Sequence, residues 1–136
     1  MERKDRKIII KRSHDRSKSF GIEPDRQYPK HMLKGSELDA HLKKKKQLID
    51  VARPVISQLL ETIEKTEFII VLTDEAGCIL IIQGGEQTLA AAQKLNMKEG
   101  AYMSEQSIGT NSMGTALKED AAVQITAREH FISVYH

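Results

Sequence analysis

Phe68-Ile-Ile-Val-Leu-Thr-Asp-Glu-Ala-Gly-Cys-Ile-Leu-Ile-Ile82 is the stretch that sets the fold class. Two continuous apolar runs, Phe68–Leu72 and Cys78–Ile82, are too short for independent helices and rich in β-branched residues. They predict two strands of a buried sheet. Asp74-Glu-Ala-Gly77 between them predicts a tight hairpin connection, with Gly77 free to take a positive φ. Gly84-Gly85 ends the second strand.

Outward from the hairpin, the period changes. Ser36 is a good N-cap, with Asp39 as a weak capping box, and predicts the start of a long helix. Leu38, Leu42, Ile49, Ala52, Ile56, Leu59 and Ile63 follow an alternating three-four spacing, with Lys45 in one expected apolar position. Leu48, Val55 and Leu60 widen the stripe. A stripe this wide suits packing on the chain's own sheet, alone or together with a second copy of the chain. Pro54 predicts a kink. Residues 3–19 are basic and helical in composition, stopped by Gly21 and Pro24. They carry no interleaved aromatic residues for stacking on bases, and the net charge of +2 is too small to argue for nucleic acid. A short helix is expected through Leu89, Ala92 and Leu95, and a third strand over Ala121–Thr126, where Val123 and Ile125 share one face.

The expected fold class is thus α+β, helices packed against a small antiparallel sheet. Its domains are an N-terminal basic helix and loop (residues 1–35) and a long helix plus a partial α+β domain (36–136). The apolar ending Phe131–Tyr135 reads as a sheet not yet complete. No window reaches the length of a membrane span, and a single cysteine suits a reducing compartment, so the expected location is cytoplasmic.

The chemistry concentrates in Ser107-Ile-Gly-Thr-Asn-Ser-Met-Gly-Thr-Ala-Leu117. Gly109 allows a left-handed angle or a close approach. Thr110, Asn111 or Ser112 is placed to cap a following helix. The run lacks the Lys-Ser of a phosphate loop and the spacing of a dinucleotide fingerprint. Two readings stay open, a capped turn or the wall of a small-molecule pocket, with Tyr102, His130 and Phe131 as further candidates. No enzyme constellation, metal-ligand set or cofactor motif stands out. His130 and His136 lack metalloprotease spacing, His14, His31 and His41 lie in polar sequence and are expected to be exposed, and Cys78 sits in an apolar run as an inert thiol.

Several separated motifs occur in order. They are Ser13-His-Asp-Arg-Ser17, Gly21-Ile-Glu-Pro24, Leu48-Ile-Asp-Val-Ala-Arg-Pro54, Leu72-Thr-Asp74, Gly77-Cys-Ile-Leu80, Ser104-Glu105, Gly109–Leu117, Val123-Gln124 and Glu129-His-Phe131. Together they resemble the N-terminal GAF sensor of bacterial sigma-54-dependent activators, in particular regulators of acetoin, dihydroxyacetone and glycerol metabolism. The family usually carries Trp where His14 stands. Family members continue into further GAF strands, an ATPase domain and a helix-turn-helix, none of which is in these residues.

The resemblance implies a non-enzymatic regulatory domain that binds a small-molecule effector and thereby controls a downstream ATPase. Thr110 and Asn111 would supply hydrogen bonds, His130 a polar contact and Phe131 a wall. It implies a homodimer through the long helix. DNA and RNA polymerase holoenzyme would be partners of the parent activator, not of this chain alone. The alternatives are a structural dimerisation module with a vestigial pocket, or a metal- or redox-sensing GAF domain using His130, His136 or Cys78, since some related GAF domains hold iron.

Overall fold

The hairpin forms as expected in the computed structural model, which describes residues 3–63 and 67–136. Strand β1 (Ile69–Thr73) pairs antiparallel with β2 (Ile79–Gly84), Leu72 opposite Ile81, with a bulge between Leu72 and Thr73. Gly77 takes a φ of +87°. The Asp74 carboxylate accepts the Cys78 N–H at 3.0 Å, and the Asp74 N–H donates to the Cys78 carbonyl at 3.0 Å. Among the described residues, six helices accompany the strands: α1 (Arg3–Ser19), α2 (Gly35–Lys44), α3 (Lys46–Ile63), α4 (Glu86–Lys94), α5 (Glu105–Ile108) and α6 (Ser112–Glu119). Single 3-10 turns follow at Ala127–Glu129 and Ser133–Tyr135. The fold class is α+β. No described helix is long and apolar enough to cross a membrane.

The chain folds as two compact units that interleave in sequence. One comprises residues 32–74 and 78–101. Its core joins Ile49 and Ile56 of α3 to Leu80 and Ile81 of β2, with Leu42, Ala52, Leu60, Ile70 and Leu72 around them. The predicted long helix is two helices. The break falls at Lys45, whose φ of −98° and ψ of 12° depart from helical values. Pro54 lies inside α3 without ending it. Nor does Ser36 cap α2: the cap position is Lys34, and it makes no side-chain cap bond.

The other unit comprises residues up to 31, residues 75–77 and residues 102–136. The Gly77 carbonyl accepts the Met103 N–H at 2.8 Å, and a Cβ on Gly77 would stand 2.9 Å from the Ser104 nitrogen. The predicted third strand is absent, residues 121–126 being irregular. Side chains have taken the hydrogen bonds that a ladder would need. Arg6 Nε donates to the Gln124 carbonyl at 3.1 Å, and the Thr126 N–H donates to Glu129 Oε1 at 2.8 Å in a capping box.

Candidate functional site

Ser13 and Ser17 lie four residues apart on one face of α1 and are fully buried. They meet the glycine-and-hydroxyl run. Ser13 Oγ is 2.6 Å from Thr110 Oγ1 and 3.1 Å from Thr115 Oγ1, and donates to Glu105 Oε2. Ser17 Oγ donates to the Ser13 carbonyl at 2.9 Å and lies 3.3 Å from Thr110 Oγ1. Glu105, 3% exposed, would be costly to bury alone. Arg16 answers it in a two-pronged bond, Nε to Oε1 at 2.6 Å and Nη2 to Oε2 at 3.1 Å, and Thr115 Oγ1 donates to Oε2 at 2.8 Å. Arg16 Nη1 reaches Glu119 Oε2 at 2.8 Å, and Arg12 adds a second cation to Glu119.

These contacts move the ionisation of the groups. Glu105's hydrogen bond, against burial and helped by Glu119, raises the Arg16 pKa further. Arg12's hydrogen bond, opposed by burial and joined by Arg16's, holds the Glu119 carboxyl below its ordinary range. Burial pushes Glu129 up, but hydrogen bonds from the Thr126 N–H, the Thr126 hydroxyl and Arg6 outweigh it, and its pKa is lowered.

Asn111 caps α6. Its Oδ1 accepts from Met113 N and Gly114 N, both at 3.1 Å, and its Nδ2 donates to the Met103 carbonyl at 2.7 Å and the Gly109 carbonyl at 2.9 Å. Gly109 takes a φ of +78°, and a Cβ there would stand 2.9 Å from Phe131 Cβ. The Phe131 N–H donates to the Thr110 carbonyl at 3.3 Å. Thr110, Asn111 and Phe131 therefore come together, with Thr110 wholly buried. His130 is half-buried next to them in sequence. Its Nδ1 lies 2.9 Å from the Ala127 carbonyl and its ring meets Tyr135 edge-on. His136 Nε2 approaches the His130 carbonyl at 3.0 Å, not its ring. His14 is half-buried, not exposed as its polar surroundings suggested. Its Nε2 is 2.7 Å from the Glu129 carbonyl and its ring is edge-on to Phe131 at 5.7 Å.

Two open clefts lie on the outer side of this frame and share Phe20, Ser104 and Gln106. One, of about 510 Å³, adds Lys30, His31 and Ser107. The other, of about 230 Å³, adds Glu75, Ala76, Glu105, Gly114, Leu117 and Lys118. His31 stacks on Tyr102 with ring centroids 4.0 Å apart. Sequence reading did not single out Phe20 or Gln106, nor Ser13, Arg16, Ser17, Glu105 and Thr115 as a connected group. Ser13 and Ser17, one helical turn apart in a charged helix, were the available signal.

No family model matches the chain. It is similar to the signal-transduction and transcriptional-control protein of Clostridium beijerinckii, 37% identical over 127 residues, which is 93% of this chain and 20% of that protein. It is similar to the acetoin dehydrogenase operon transcriptional activator AcoR of Bacillus subtilis, 33% identical over 127 residues, which is 93% of this chain and 21% of that protein. The chain thus spans about a fifth of the length of these curated relatives. Among solved structures it resembles the DhaR(N)–DhaL complex of E. coli, with a TM-score of 0.87 and 25% identity over 93% of this chain and 43% of the other. Ordered motifs, fold and relatives agree: over nearly its whole length the chain is similar to one region of these transcriptional activators.

Proposed function

We propose that the chain is the input domain of a transcription activator and takes a small polar effector in the clefts around Phe20, Ser104 and Gln106. The observation that carries this reading is the division of labour in the glycine-and-hydroxyl run. Asn111 spends its hydrogen-bonding capacity holding the loop and α6. A site needs a rigid supporting shell, and here Thr110, Asn111 and Phe131 supply it. Ser104 and Gln106, half-buried and exposed, remain for the effector, with Phe20 as the apolar wall. His130 belongs to the same unit as a half-buried polar group at the edge of the frame. Binding controls the downstream ATPase by favouring one arrangement of the domain over another; equal affinity for both would shift nothing.

A protein partner is the second reading, favoured by the solved complex of DhaR(N) with DhaL. We also infer a homodimer through α3. Leu48, Val51, Val55 and Leu59 are 42%, 68%, 59% and 46% exposed, at spacings of three, four and four. That is the seam of a helix pair. Ile56, on the sequence-predicted stripe, faces the core instead.

Thermal unfolding with acetoin and with dihydroxyacetone tests the effector reading. Saturation at a hundredfold excess over Kd adds about 2.7 kcal/mol of stability, and Gln106→Ala together with Phe20→Ala removes the shift. Absence of any shift, or one that survives both substitutions, would overturn the cleft as the site.

A further inference from the structure

His41 of α2, Asp74 at the end of β1 and Cys78 just before β2 converge within one unit. An imidazole nitrogen, a carboxylate oxygen and a thiol sulfur there all lie within 4.8 Å of one another. His41 Nε2 is 2.7 Å from Asp74 Oδ2. The other carboxylate oxygen is held by the hairpin through the Cys78 N–H. Cys78 is fully buried and the Asp74 side chain is 1% exposed, whereas His41 is 21% exposed. The cluster is therefore closed on two sides and reached from solvent along the imidazole.

We propose that His41, Asp74 and Cys78 bind one divalent ion of the zinc class. The donor set decides the class. Magnesium and calcium take oxygen ligands, whereas a thiolate with an imidazole suits zinc and its neighbours. Size agrees as well. In a tetrahedral site, zinc bonds of about 2.0–2.3 Å set donors about 3.3–3.8 Å apart. Nε2 and Oδ2 therefore open slightly from 2.7 Å, and the wider pairs, all within 4.8 Å, close by roughly 1 Å. On loading, Nε2 and Oδ2 give up their mutual bond for the metal, the imidazole keeps a proton only on Nδ1, and the Cys78 thiol releases its proton to solvent. Three protein donors leave one tetrahedral position for water or for a heteroatom of a signal molecule, as in sites that react rather than merely brace. Without a metal, the same residues only close the hairpin and tie α2 to it. None of the three residues lines either cleft.

The reduced chain is dialysed against Zn2+ and counted for metal, then loaded with Co2+ and read by absorption. One zinc per chain is expected, with a thiolate-to-cobalt charge-transfer band and the strong visible bands of a tetrahedral ion. Cys78→Ser removes the charge-transfer band, and His41→Gln weakens zinc binding at least about tenfold. Substoichiometric zinc, or a cobalt spectrum unchanged by Cys78→Ser, would overturn the site. Should circular dichroism show that Cys78→Ser does not fold, His41→Gln decides alone, because His41 is partly exposed. Unaltered affinity in that variant refutes the proposal.

Discussion

Asn111 shows how one side chain does two jobs. A cap needs only its oxygen, and Asp caps as well as Asn. The Nδ2 hydrogens, however, face the Met103 and Gly109 carbonyls. Asn111→Asp should therefore destabilise the chain by about 2 kcal/mol despite keeping the cap, because an acceptor would then confront two buried acceptors. Urea denaturation measures this; an unchanged midpoint would reduce Asn111 to a cap. The cap was legible in the sequence because it is local. The Nδ2 contact to Met103, eight residues back, was not. Ser13 and Thr110, 97 residues apart, leave no periodic trace, since a buried hydroxyl reads like any polar residue until its partner is placed.

At the scale of elements, α1 is fastened by charge. Arg6 pairs with Glu129, Arg12 with Glu119, and Arg16 with both Glu105 and Glu119. Glu119 and Glu129 both titrate below their ordinary 4.5 in the folded chain. Their contribution is complete above that value and is lost as the pH falls through the lowered values. Melting temperature should drop on acidification below about 4.5, and the paired change Glu119→Gln, Glu129→Gln should flatten that dependence. A slope equal in variant and parent would mean other carboxylates govern acid unfolding.

The α3 seam has its own test. Val51→Lys should shift the chain to monomer in sedimentation velocity with its melting temperature kept. Ile56→Lys, placing a charge among Leu80 and Ile81, should unfold it. A parent chain that is monomeric at high concentration would remove the dimer. The hairpin and α4 were legible because apolar pattern and Gly punctuation agree there, and α1 because a helical composition meets the Gly21 and Pro24 stop. The third strand was not, since the pull of Arg6 and the Thr126–Glu129 box on the Val123–Ile125 alternation comes from side chains outside the pattern. The break at Lys45 was visible only as a lysine interrupting a stripe.

For the whole molecule, the net charge of +2 conceals a sorted distribution. Three of α1's arginines are answered by glutamates about 90 to 120 residues further along the chain. The His41–Asp74–Cys78 cluster was hidden for the same reason as the Ser13–Thr110 contact. Its imidazole comes from a helix 33 residues ahead of the carboxylate, a separation without any metal-binding signature.

The arginine–glutamate fastenings join residues 89 to 123 positions apart. On a ribosome adding about 5–20 residues per second, α1 emerges ahead of those carboxylates and waits roughly 5–25 s for them. Residues 32–74 and 78–101 are made within that interval and carry their own core. The face that α1 keeps in readiness is built of Ser13, Arg16 and Ser17, hydroxyls and a cation that water solvates well. A nascent chain so arranged offers little sticky surface on this face while α1 awaits its partners.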